Sequence, residues 1–123
     1  MIRGSVSAEL EATIPVRVRA DGREVQVNAV IDTGFDGWLT LPASVVSELR
    51  LPRRGRERGV LAVGSVAFFH LHDATVIWDG RPRSVFVAVA AGTPLVGMAL
   101  LEGHELAVRV TDGGAVKISA LTT

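Results

Sequence analysis

Val30-Ile31-Asp32-Thr33-Gly34 places an acidic residue at the end of an apolar strand and follows it at once with turn residues. A carboxylate there sits where a buried strand opens into a loop, against protein on one side and within reach of a ligand on the other, a usual position for catalytic groups. The stretch occurs once in the chain. Upstream of it, Ile14, Val16 and Val18 alternate with Pro15, Arg17 and Arg19, Asp21-Gly22 supplies a turn, and Val25, Val27, Ala29 and Ile31 alternate on the way back. Period two on both arms around Asp-Gly predicts a β-hairpin, because Gly tolerates the positive φ that a tight turn demands.

A second hairpin repeats the pattern. Thr75-Val76-Ile77-Trp78 leads to Asp79-Gly80, and Val85, Val87 and Val89 return between Ser84, Phe86 and Ala88. The first return arm runs into Asp32-Thr33-Gly34 and the second into Thr93-Pro94-Leu95-Val96-Gly97, so the chain reads as two structurally repeated halves. Two short helices are expected. Pro42 opens one whose apolar face is Val45, Val46 and Leu49 and which Pro52 stops; Met98 to Glu102 forms the other, closed by Gly103, with Leu100 and Leu101 inward and Glu102 and His104, which flank its end, exposed. Residues 53–59, rich in Arg and Gly, are expected as a solvated loop feeding an apolar hairpin with its tip near Gly64. A last hairpin, Leu106 to Val110 and Ala115 to Ile118, turns about Asp112-Gly113-Gly114.

Composition agrees with this β reading. The chain has 123 residues, enough for one domain over 1–123. Apolar residues make up 48% and aromatics only 5%, so the core is expected to be built from Val, Leu, Ala and Ile, which favours strands. Thirteen basic and thirteen acidic residues cancel, leaving no global field to attract nucleic acid or an anionic membrane. With no cysteine there are neither disulfides nor thiolate metal sites, which fits a reducing compartment. No apolar run reaches the roughly 18 residues of a membrane span, and Glu9 and Glu11 interrupt any leader pattern. The expectation is a cytoplasmic protein with no membrane partner.

Asp32-Thr33-Gly34 after an apolar strand, a Gly-containing hairpin some thirty residues on, and Leu95-Val96-Gly97 before a short helix together resemble the retroviral-type (retropepsin-like) aspartic proteases, over roughly residues 12 to 105. The continuation Phe35-Asp36-Gly37-Trp38-Leu39-Thr40-Leu41-Pro42 is similar to a prokaryotic branch in which Asp-Thr-Gly is followed by Phe. The resemblance implies an all-β fold, a small closed barrel of paired hairpins with one or two short helices. It further implies an aspartic endopeptidase acting on extended peptide or protein segments, with no cofactor and no metal. Since the chain carries one such Asp, it implies a homodimer in which each subunit contributes Asp32.

The resemblance also assigns roles. The Thr33 hydroxyl would bond across the dimer axis, and Gly34 would let backbone approach the carboxylates. Val63, Gly64 and Ser65 would form the flap tip that closes over substrate, and Leu95-Val96-Gly97 would pack behind the catalytic loop; Phe35 and Trp38 have two readings, lining of a substrate pocket or, the favoured one, a place in the core or an interface. Asp36 has two readings: a substrate-backbone contact, as at the matching family position, or a turn cap. Retroviral enzymes pair that acid with an Arg after the second Gly, and here Met98-Ala99 follows Gly97. Thr111-Asp112-Gly113 has the wrong order and sits at a polar turn, so it is no second copy of the motif. His70 and His72 alternate on one strand face with no third ligand beside them, and the Arg loop is interrupted by Glu57 and lacks aromatics, so neither metal nor nucleic acid is expected. The competing function is a non-catalytic binding or assembly module on the same barrel.

Overall fold

The computed structural model describes residues 1–60 and 66–122. In chain order its elements are β1 (Ile2–Val6), β2 (Ala12–Ala20), β3 (Arg23–Ile31), β4 (Leu39–Leu41), α1 (Ala43–Leu49), β5 (Arg53–Val60), β6 (Val66–Trp78), β7 (Arg81–Val89), β8 (Leu95–Val96), α2 (Met98–Leu101), β9 (His104–Val108) and β10 (Ala115–Ala120). Both Asp-Gly turns form as the sequence predicts. Asp21 and Gly22 have φ of 47° and 78°, and Asp79 and Gly80 have 52° and 79°. Two successive left-handed residues match the twist of the flanking strands, and Asp and Gly tolerate that conformation better than most. They fix the registers Ala20↔Arg23 and Trp78↔Arg81.

The two halves then exchange strands. After the first return arm the chain makes β4, which pairs in parallel with β7, the second return arm, through Leu39↔Val87 to Leu41↔Val89. After the second return arm it makes β8, which pairs in parallel with β3 through Val30↔Leu95 and Ile31↔Val96. Each half therefore completes the other, which is the repeat expected from the sequence. β2 also pairs with β6, Arg17↔Ile77 to Arg19↔Thr75, and this closes β6, β7, β4, β8, β3 and β2 into a barrel of six strands. Closure removes edges that would otherwise present unpaired backbone.

The interior follows period two. Ile14, Val16 and Val18 of β2, Val76 of β6, Val85 and Val87 of β7, and Leu39 and Leu41 of β4 point inward and are buried. Val46 and Leu49 of α1 and Leu100 and Leu101 of α2 close the core as their spacing predicts. Among the described residues Trp78 is the one aromatic in the buried core, which is otherwise built mainly from aliphatic residues as composition suggested. Among the described residues no helix is long and apolar enough to cross a membrane.

Three features differ from the sequence reading. Residues 53–60 form a strand rather than a loop: β5 pairs antiparallel with β6 from Arg53↔His72 to Val60↔Val66, with a bulge between Arg53 and Gly55. It ends the sheet order, and charged residues suit an edge strand because they deter further pairing. Arg54 pairs there with Asp73. His104, expected to be exposed, is half-buried: its Nδ1–H donates to the Glu102 carbonyl (3.0 Å), and its Nε2 accepts the Trp78 indole N–H (3.2 Å). Residues 2–6, given no element by their sequence, form β1, paired on one side with β2 and on the other with β10.

The result is an accessory sheet, β2-β1-β10-β9, made wholly within one chain. Gly4 is needed for it, since a Cβ there would lie 1.9 Å from the Thr13 carbonyl oxygen. Gly4→Ala is expected to cost about 1–3 kcal/mol through this overlap, read as a lower midpoint in urea denaturation; an unchanged midpoint would contradict the seating of β1 on β2.

Candidate active site

Asp32 is held by the strand exchange. Its amide donates to the Val96 carbonyl (2.9 Å), one step beyond the Val30 amide's bond to the Pro94 carbonyl (2.9 Å). The backbone of β8 thus fixes where β3 ends. From there the chain turns: the Phe35 amide donates to the Asp32 carbonyl (3.2 Å), and the Gly34 amide donates to Asp32 Oδ1 (2.9 Å). That bond orients the carboxylate and leaves Oδ2 open. Asp32 is half-buried, while Thr33 and Gly34 are exposed at the loop crest. A Cβ on Gly34 would sit 3.3 Å from Asp32 Oδ1, so a side chain there would crowd the carboxylate.

The loop is tied to the segment behind it. The Met98 amide donates to the Phe35 carbonyl (2.8 Å), the Ala99 amide to the Gly37 carbonyl (3.0 Å), and the Gly97 amide to the Trp38 carbonyl (3.0 Å). A Cβ on Gly97 would fall 2.2 Å from the Gly37 carbonyl oxygen and 2.6 Å from the Phe35 ring. Leu95-Val96-Gly97 therefore packs behind the Asp32 loop. Phe35 lays its ring beside Gly37 and Gly97, where it fills the space that two absent side chains leave. Trp38 is partly buried against the core, and the Arg83 guanidinium lies over its ring, 5.2 Å from the centroid, while donating to the Leu100 carbonyl (2.8 Å).

Asp36 lies exposed on the same loop. Thr111-Asp112-Gly113 is at the β9–β10 turn, where Gly113 has φ of 77°. Val63, Gly64 and Ser65 lie outside the described residues; the β5 and β6 arms that lead to them pair as far as Val60↔Val66. His70 is contacted by the Arg53 guanidinium, and His72 Nδ1 lies 3.2 Å from the Leu51 carbonyl oxygen. Among the described residues no group of three or more His, Cys, Asp or Glu is gathered. A groove of about 580 Å³ lined by Arg19, Asp21, Arg54, Asp73 and Phe86 does not include Asp32 in its lining.

Sequence reasoning passed over Thr40. Among the described residues it is the one buried polar side chain, 6% exposed, and its Oγ1 accepts the Leu95 amide (2.9 Å). This bond joins β4 to the start of β8, the strand that positions Asp32. A Thr between Leu39 and Leu41, inside a strand too short to show alternation, was the available signal. Thr40→Val keeps the shape and leaves the Leu95 amide unpaired, so a loss of about 1–3 kcal/mol is expected, measured by thermal or urea unfolding; Thr40→Ser should recover most of it.

No family model and no curated protein sequence matches the chain. Among solved structures, a retropepsin-like aspartic protease from Rickettsia conorii is similar with a TM-score of 0.60 at 17% identity, covering 97% of this chain and 91% of its own. The EIAV protease complexed with the inhibitor HBY-793 is similar with a TM-score of 0.58 at 21% identity, covering 77% of this chain and 88% of its own. The chain has the retropepsin-like fold.

Proposed function

We propose that residues 1–123 form one aspartic endopeptidase domain, active as a homodimer whose two Asp32 carboxylates share a catalytic proton. The observation that carries the reading is the setting of Asp32: a carboxylate at the crest of a strand end, oriented by the Gly34 amide and anchored through its own amide to Val96, in a chain with the fold of aspartic proteases. The order Asp32-Thr33-Gly34-Phe35 supports placing it with the prokaryotic branch named above.

Two like charges a few ångströms apart do not both ionise readily, so the pair holds one proton between them. The ionised carboxylate takes a proton from a water as the water oxygen attacks the peptide carbonyl carbon. The protonated partner donates a hydrogen bond to the carbonyl oxygen, stabilising the charge that develops there. Thr33, exposed beside each carboxylate, would hold the two loops in register across the axis. Gly34 keeps the approach to Oδ1 clear. The paired β5 and β6 strands would serve as arms of a flap that hydrogen-bonds an extended peptide as an added strand, Val63, Gly64 and Ser65 being the residues that the resemblance assigns to its tip. Phe35 braces the loop from behind, and Asp36 is available to the substrate backbone. The reaction needs neither metal nor cofactor.

Asp32→Asn is expected to lower cleavage of a peptide library by about 10²–10⁴-fold while circular dichroism and the dimer are unchanged. Wild-type cleavage in the Asn variant would exclude the reading; a wild type inert to peptides and to a statine-type analogue at every pH would favour a binding module on the same barrel.

A further inference from the structure

We infer that Arg83 is a positioning residue for the Asp32 loop: from the core-facing side of β7 it holds the outgoing arm of that loop and the end of α2 against the barrel. The inference rests on the protease reading above and gives its site a determinant that lies outside the loop itself.

Arg83 stands where period two calls for an apolar residue. On β7 it precedes Val85 and Val87 on the same face, and both of these are buried. Its cross-strand partner on β6 is Val76, whose partner on β2 is Val18, and both are fully buried. A guanidinium at the end of such a row is half-buried, and taking a charge out of water is unfavourable unless other groups replace the water. Among the described residues no carboxylate lies within ion-pair distance of it.

Its partners are instead two parts of the candidate site's support. Arg83 Nη1 donates to the Leu100 carbonyl (2.8 Å), and the guanidinium carbon lies 5.2 Å from the centroid of the Trp38 ring. Leu100 belongs to α2, four residues long, with no basic residue in its last turn and an extended cap at Glu102. The last carbonyls of a helix lack intrahelical donors, and Arg83 supplies one from another strand. Trp38 ends the loop that Asp32 begins, and Leu39 after it starts β4. An indole face attracts a cation, more strongly where water is excluded, and a planar guanidinium can stack on a ring while donating in its own plane. One side chain therefore contacts both elements at once.

The contact has a mechanical meaning. Main-chain bonds from Gly97, Met98 and Ala99 to the Phe35–Trp38 segment make the Asp32 loop and the entrance of α2 one body. At one end that body is tied to the barrel by the Asp32 amide's bond to the Val96 carbonyl; at the other, where α2 ends, Arg83 ties it to β7. Loss of the second tie lets the body pivot about the first and carries the Asp32 carboxylate with it. Two carboxylates that share a proton tolerate little displacement, so a small pivot lowers rate more than binding.

The test is amide exchange, followed by NMR, on wild type, Arg83→Met and Arg83→Lys, with peptide cleavage alongside. The Gly97, Met98 and Ala99 amides report on the loop; the Val6 and Arg109 amides, bonded to the Gly114 and Ala115 carbonyls of the accessory sheet, are the reference. Arg83→Met is expected to speed exchange at the loop amides at least about tenfold beyond any change at the reference amides, which separates a loosened loop from a general loss of stability. Arg83→Lys keeps a cation and a donor and should restore most of the protection. In cleavage, Arg83→Met should lower kcat about tenfold with KM within about twofold of wild type, and Arg83→Lys should recover part of the loss. Should Arg83→Met not fold, Trp38→Leu, which removes the ring and leaves the Leu100 bond, is expected to show the same pattern at smaller size. Loop amides that merely follow the reference amides would overturn the inference, as would loosened loop amides with a wild-type kcat. The protease reading fails separately: cleavage that is untouched by Asp32→Asn, or absent from the wild type, removes the catalytic role of the loop, and the exchange ratio alone then decides whether Arg83 holds it.

Discussion

The parallel pairing of β3 with β8, two residues long and ending in the Asp32 amide's bond to the Val96 carbonyl, is the constraint on which the rest of this structure depends. It is where the second half of the chain returns to the first. Because β8 is short, its position comes from its neighbours: Thr40 Oγ1 receives the Leu95 amide, Leu39 pairs with Val96, and Gly97 seats on Gly37. These contacts join segments more than fifty residues apart, so they form late and cooperatively in any ordering that closes short loops first. The carboxylate is thus positioned by the tertiary structure and not by its own turn.

The same arrangement holds the Asp32 loop in place. Three amides, of Gly97, Met98 and Ala99, donate to three carbonyls of the Phe35–Trp38 segment, so the loop that carries Asp32 is bound along its length to the entrance of α2. Main-chain bonds of this kind hold geometry without depending on side-chain rotamers. Side chains then need only leave or fill space: Gly34 and Gly97 stay small, and the Phe35 ring occupies what is left open beside Gly97.

Much of this was legible in the sequence, for identifiable reasons. The two Asp-Gly hairpins, both helices and the inward set on β2 and β7 follow from period two, from turn chemistry and from Pro and Gly at helix ends. What escaped was backbone pairing that leaves no side-chain pattern. β5 is polar and Gly-rich because it lies at a sheet edge, and its composition reads as loop. β1 carries no clean alternation, since Gly4 stands at a close approach to Thr13. The exchange of β4 and β8 between halves is long-range, and nothing local announces it. Thr40 was hidden because a strand of three residues shows no period. Asp32-Thr33-Gly34 stands out in the sequence as a candidate site, and the likeness of fold agrees with the retropepsin-like barrel its neighbours suggested.

The accessory sheet has a thermodynamic consequence. A chain that completes β2-β1-β10-β9 by itself can fold in a unimolecular step, so the stability of the single subunit carries no concentration term of its own and association only adds to it, whereas a subunit that must borrow a strand is only as stable as its partner is abundant. Folding and association are then separate equilibria. Under the dimeric reading a dilute population is folded yet silent, and catalytic output grows with the square of chain concentration until subunits are mostly paired. Abundance would then govern how much of the carboxylate pair is assembled.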